Sequence, residues 1–131
     1  MTMPGPAFAG LFVYAKDLGR LASFYEQVVG MTRVHESPDL VVLEAQVEQM
    51  VVHQIPPHIA AGITLATPPV RRENAALKFF FTVRSLDVAH ALMARLGGVM
   101  FQERWTSSSF VVQNAMDPEG NVFQLRETTA A

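Results

Sequence analysis

The sequence has no cysteine, which excludes disulfide staples, thiolate metal centres and thiol nucleophiles and favours a cytoplasmic home. It is poor in charge, at 17%. Its formal net charge of −2 supplies no basic face for nucleic acid or an anionic membrane, so neither is expected as a partner. Long apolar runs are missing too: residues 79–83 fall far short of the roughly 20 that a membrane-spanning helix needs. The opening segment, residues 1–7, carries Pro4 and Pro6 but no basic region or apolar core; it does not read as a signal peptide and is expected to be a frayed leader. What remains is a chain of 131 residues, 50% of them hydrophobic, enough for one domain with a real core.

The chain is written twice. Laying 11–36 over 79–104 sets Phe12 on Phe80, Val13 on Phe81, Leu18 on Leu86, Phe24 on Leu92 and Gly30 on Gly98. Toward the module ends the match sets Val52 on Phe123 and His53 on Gln124, with the extra residues of the second copy assigned to the loop of Ser107, Ser108 and Ser109. Each copy has the same grammar. A β-rich run (8–15, 77–83) gives way to helical spacing after Asp17 or Ser85, both good N-caps, and glycine stops the helix. Three extended runs follow, at 32–36, 40–44 and 49–54 in the first copy and at 99–105, 110–114 and 121–126 in the second. The reading is α+β: two tandem βαβββ modules forming a curved mixed sheet with outer helices and a concave cavity. The whole of 1–131 is one domain, with module 1 at 8–56, a linker at 57–75 and module 2 at 76–127. A short strand or turn is expected near 62–66, and the Arg71-Arg72 pair reads as solvated linker.

This pattern resembles the vicinal oxygen chelate superfamily: glyoxalase I, bleomycin-resistance proteins and extradiol dioxygenases. Asp17-Leu18 with Phe24-Tyr25 and Gly30 is similar to the family's opening strand and helix, and the run from Asp117, Pro118, Glu119, Gly120 and Asn121 to Leu125 is similar to its closing hairpin. The closing run also has a physical reading of its own, since Pro118 presets a turn and Gly120 supplies a positive φ.

The resemblance implies metal ligands on the first and last strand of each module, at Gly10, His53, Lys78 and Gln124. Glycine offers no side chain and a protonated lysine no lone pair, while Gln124 is a weak neutral donor. Only His53 is a good ligand, so no metal and no cofactor are expected. Residues two apart on a strand share a face. Gly10 therefore brings Phe12 and Tyr14, Lys78 brings Phe80 and Thr82, His53 brings Val51, and Gln124 brings Val122 and Arg126. The opposite parity is the helix-facing core. The expected cavity is apolar and aromatic, with ligand contacts from Phe12, Tyr14, His53, Lys78, Phe80 and Gln124 and a rim of Trp105 and Phe110.

Four functions stay open on the residues. The leading one, closest in character to metal-free bleomycin-resistance-like members, is a homodimer holding an apolar or aromatic small molecule. The second is an enzyme without metal, in which Lys78 polarises a carbonyl while His53 or Tyr14 moves a proton. The third is a metal-dependent lyase, isomerase or dioxygenase with a shifted register that brings in Glu44, Glu48 or Glu103. The fourth is a module with no ligand and a filled cavity. The serine run has no neighbouring base to activate it as a nucleophile.

Overall fold

In the computed structural model, which describes residues 9–129 apart from Val47 and Glu73, the repeat becomes two four-stranded mixed sheets. The first module runs β1 (Ala9–Ala15), α1 (Leu18–Val29), β2 (Thr32–Glu36), β3 (Leu40–Ala45) and β4 (Glu48–Gln54). After a short helix α2 (Pro57–Ala60) the second runs β5 (Phe80–Val83), α3 (Leu86–Arg95), β6 (Val99–Thr106), β7 (Phe110–Met116) and β8 (Val122–Thr128). The sheet orders are β1-β4-β3-β2 and β5-β8-β7-β6. The first strand of each module pairs parallel with the last, and the other pairings are antiparallel.

Local chemistry starts each helix in the same way. Asp17 accepts the Arg20 N–H, and Ser85 accepts the Val88 N–H, both at 3.1 Å. A second acceptor reaches back from the last strand of the same module. Gln54 Oε1 takes the Leu18 N–H at 3.1 Å, and Glu127 Oε1 takes the Leu86 N–H at 2.7 Å, satisfying donors that no helical turn can reach. Gly30 closes α1 at φ 81°, a conformation that disfavours a side chain.

One apolar core serves both modules. Phe24 and Tyr25 of α1 are buried with Met50, Val52, Phe81, Phe123 and Leu125, and the Tyr25 ring lies 5.5 to 6.1 Å from those of Phe79, Phe81 and Phe123. The closing turn clasps the modules together. Asp117, fully buried, accepts from the Tyr25 hydroxyl at 2.6 Å, from the Glu119 and Asn121 N–H groups and from Asn121 Nδ2. Glu119, 3% exposed, takes the N–H groups of Lys16 and Asp17 at 2.7 and 2.8 Å. Gly120, at φ 88°, lies so close to the Val70 carbonyl that a β-carbon would collide with it. The motif that resembles a family signature is thus a buried polar clasp between the two halves of the core.

Several sequence expectations change. The expected start of β1 at Phe8, and the leader before it, lie outside the described residues. Strand β5 begins at Phe80, so Lys78 precedes it rather than sitting within it. Of the short strand or turn expected near 62–66 the turn is present, where the Gly62 and Ile63 N–H groups donate to the Ile59 and Ala60 carbonyls after the helix Pro57–Ala60, and no strand forms there. The extra residues of the second copy are not in the serine loop. Ser37 and Ser107 close matching three-residue loops, each hydroxyl accepting two following N–H groups. Two of the extra residues come before the loop, where β6 has 8 residues against 5 in β2 and an irregular register between Met100 and Arg104; the others come after it, since Ser107 lies 70 positions beyond Ser37 but Glu127 lies 73 beyond Gln54. The arginine pair is not free linker: Arg72 N–H and Nε donate to the Gly120 and Glu119 carbonyls, and the Arg71 guanidinium stacks 4.3 Å over Phe101.

Candidate functional site

Alternation along the strands separates two faces. Phe81 and Phe123 are 6% and 0% exposed on the helix side, whereas Phe12, Tyr14, Phe80 and Trp105 are 53%, 58%, 47% and 47% exposed on the other. On the first sheet the open face reads in rows across β1, β4 and β3. Tyr14 pairs with His53 and that with Leu40, while Phe12 pairs with Val51 and that with Val42. The rings of Phe12, Tyr14 and His53 form one cluster with centroids 5.1 to 5.9 Å apart. His53 Nδ1 lies 2.8 Å from the Gln54 carbonyl. A carbonyl only accepts, so Nδ1 carries a proton there and Nε2 is the nitrogen left for other chemistry.

The second sheet carries the matching rows. Phe80 pairs with Gln124 and that with Asn114; Thr82 pairs with Arg126, then Val112, then Trp105. Arg126 lies with its guanidinium carbon 3.7 Å from the Phe80 ring centroid and 5.5 Å from that of Phe110. Arg126 Nε donates to Gln124 Oε1 at 3.1 Å, and Gln124 Nε2 donates to Asn114 Oδ1 at 3.4 Å. Between the sheets, along the β1–β5 edges, run two grooves of about 290 and 310 Å³. Gly10, Gln49, Lys78 and Phe80 line one, and Phe12, Tyr14, Leu77 and Val122 line the other.

The structure thus gathers Phe12, Tyr14 and His53 on one sheet and Phe80, Phe110 and Gln124 on the other, with Lys78 on the seam. Among the described residues no ring contact or hydrogen bond joins the two groups. Trp105 lies at the far end of the Arg126 row. Sequence reasoning placed Arg126 on this face by parity alone and left it out of the candidate site, as it did Asn114; nothing local in the sequence announces that a guanidinium will stack on a phenyl ring set diagonally across from it on the neighbouring strand.

The register also corrects an equivalence taken from the resemblance. Counting from the helix starts, Tyr14 corresponds to Thr82, so His53, opposite Tyr14, corresponds to Arg126, opposite Thr82. The Gln54 and Glu127 side chains that cap equivalent helices give the same alignment. Gln124 therefore has Val51 as its counterpart and His53 has Arg126, so the equivalent positions hold Gly10 and Lys78 with either Val51 and Gln124 or His53 and Arg126. Neither donor set fits a divalent metal. Of the acids a shifted register would recruit, Glu44 accepts a hydrogen bond from Gln49 at 3.1 Å. Among the described residues no three His, Asp or Glu side chains converge as ligands would.

Buried ionisable groups elsewhere are the clasp. Burial, then the charges of Asp117 and Glu119, pushes the Tyr25 hydroxyl well above its ordinary value. Burial also lifts the Asp117 carboxyl, against hydrogen bonds from Tyr25, Asn121 and Glu119 that pull it down. No helix among the described residues is long and apolar enough to cross a membrane.

Comparison with known proteins bears on this architecture. The sequence profile of the glyoxalase-like domain matches residues 10–126. A search of curated proteins found no significant match. Among solved structures, a glyoxalase/bleomycin resistance protein/dioxygenase family enzyme from Burkholderia phytofirmans PsJN is similar, with 17% identity over 92% of this chain and 97% of that one and a TM-score of 0.68. A glyoxalase/bleomycin resistance protein from Albidiferax ferrireducens T118 has 17% identity, the same coverage and a TM-score of 0.66. The fosfomycin resistance protein FosX from Mesorhizobium loti has 15% identity over 98% of this chain and 95% of that one, with a TM-score of 0.63. Identities this low speak for the fold.

Proposed function

The chain belongs to the glyoxalase-like domain family, within the vicinal oxygen chelate superfamily, and from that premise we propose that it binds a small apolar or aromatic molecule on its open sheet face without a metal. The observation that carries this reading is the exposure of Phe12, Tyr14, Phe80 and Trp105 on the face opposite the core. Burying an aromatic side chain of this kind stabilises by about 1.5–3 kcal/mol, and a flat ring laid between them recovers part of that for each one covered. Polar groups set among the rings give orientation: His53 through Nε2, Gln124 through its amide, and Lys78 from the groove wall. Phe110 backs the second sheet's half of the site. As a unit in the cell we propose a cytoplasmic homodimer, with no nucleic acid or membrane partner.

A second reading rests on Lys78, which is exposed beside Gly10 and forms no ion pair among the described residues. A lysine there supplies positive charge where related folds place a cation, and it would polarise a substrate carbonyl while His53 or Tyr14 moves the proton. The two readings separate experimentally. Thermal melts of the whole chain against a library of aromatic and aliphatic small molecules are expected to give rises of several degrees for aromatic members. A library that shifts nothing would sink ligand binding. Turnover of a bound compound that survives Lys78→Met unchanged would sink the catalytic role of Lys78.

A further inference from the structure

Resting on the ligand-binding reading above and deepening it, we propose that the ligand is an aromatic carboxylate whose charged end is taken by Arg126. The guanidinium is held flat by the Phe80 ring at 3.7 Å, with Phe110 at 5.5 Å. Its Nε is tied to Gln124, which is steadied in turn by Asn114. Three contacts therefore fix the plane and the rotation of the fork. Among the described residues Nε alone is engaged, and Nη1 and Nη2 meet no protein acceptor.

Among the described residues the charge has no ion-pair partner. The ion pairs present join Arg33 to Glu26 and Glu36, and Arg104 to Asp87. The adjacent acid, Glu127, turns to the opposite face and caps α3. A surface arginine normally loses rotamer freedom on taking up a ligand; here stacking has already removed it, so a bidentate pair costs less to form. A carboxylate matches the two free nitrogens in one plane. The aromatic part follows from what flanks the fork: Phe80 lies under it, and Val112 and then Trp105 continue the same row across the sheet.

The test is calorimetric titration of the whole chain with benzoate, 2-naphthoate and biphenyl-4-carboxylate, each beside its neutral amide. At least one acid is expected to bind about tenfold or more tightly than its amide. Arg126→Gln should abolish that preference by weakening the acid while leaving the amide within about twofold, and Arg126→Lys, which keeps the charge but loses the fork, should restore only part of it. Matching melting temperatures for the two variants and the parent exclude misfolding as the cause. Equal binding of acid and amide, or a preference that survives Arg126→Gln, overturns the anion site and leaves the aromatic face standing. Failure of every acid and amide to bind overturns both.

Discussion

Tyr25 and Asp117 meet across 92 positions of sequence in a fully buried hydrogen bond of 2.6 Å. A buried carboxyl is stable only while its donors are in place. Tyr25→Phe removes one and is expected to cost about 1–3 kcal/mol in chemical denaturation, with the apolar packing unchanged. The same carboxyl should leave a signature in pH. Burial raises it above its ordinary value, so the folded chain holds that proton more tightly than the unfolded chain does. Its contribution is fully present below the unfolded value, about pH 4, and is lost as pH rises toward the folded one. Over that window the parent is expected to lose stability relative to Asp117→Asn. Urea midpoints that run parallel for the two proteins would show that the carboxyl does not titrate differently on folding.

Each module ties its last strand to its helix start, but with different chemistry. Gln54 does so in the first module as a neutral amide, whose nitrogen also donates to the Lys16 carbonyl at 2.7 Å. Glu127 does so in the second with a carboxylate. Both satisfy an N–H that the helix leaves free, and the charge adds only a dipole term worth about 0.3–1 kcal/mol at a partly exposed site. Glu127→Gln, which copies the first module, is therefore expected to change stability by less than about 1 kcal/mol, whereas Glu127→Ala should cost about 1 kcal/mol more by leaving the Leu86 N–H without its acceptor. Equal losses in the two variants, read from thermal melts, would mean that the charge rather than the hydrogen bond matters.

For the whole molecule the question is what the open face holds. The ligand positions that the resemblance implies carry Gly10 and Lys78 with either Val51 and Gln124 or His53 and Arg126, and either set has little affinity for a divalent cation. Nickel, zinc, manganese or ferrous iron is expected to leave the melting temperature unchanged, and plasma mass spectrometry of untagged protein should find far less than one metal per chain. Near-unit stoichiometry would overturn metal-free binding and redirect attention to Glu44, Glu48 and Glu103. The clasp of Asp117 and Glu119 and the shared core hold the two modules of one chain together, with Phe12, Tyr14, Phe80 and Trp105 exposed on the open face.

Much of this was legible in the sequence because it is written in short-range pattern. Period-two alternation placed Phe12, Tyr14, Phe80 and Gln124 on one face and Phe81, Phe123 and Leu125 on the other; Asp17 and Ser85 announced their helices; and the repeat itself gave two βαβββ modules. Chemical identity at Gly10 and Lys78 already removed two of the donors that the resemblance implies. What only the tertiary structure decided depends on pairing between distant segments. Register made Val51, not His53, the counterpart of Gln124, because extra residues divided between the two sides of a loop leave no local mark. Stacking turned Arg126 from a parity neighbour into an oriented cation, unpaired among the described residues, and burial turned a turn motif into the clasp on Tyr25. Alternation is a property of one strand, whereas register, stacking and burial are properties of strands brought together, and no single segment encodes them.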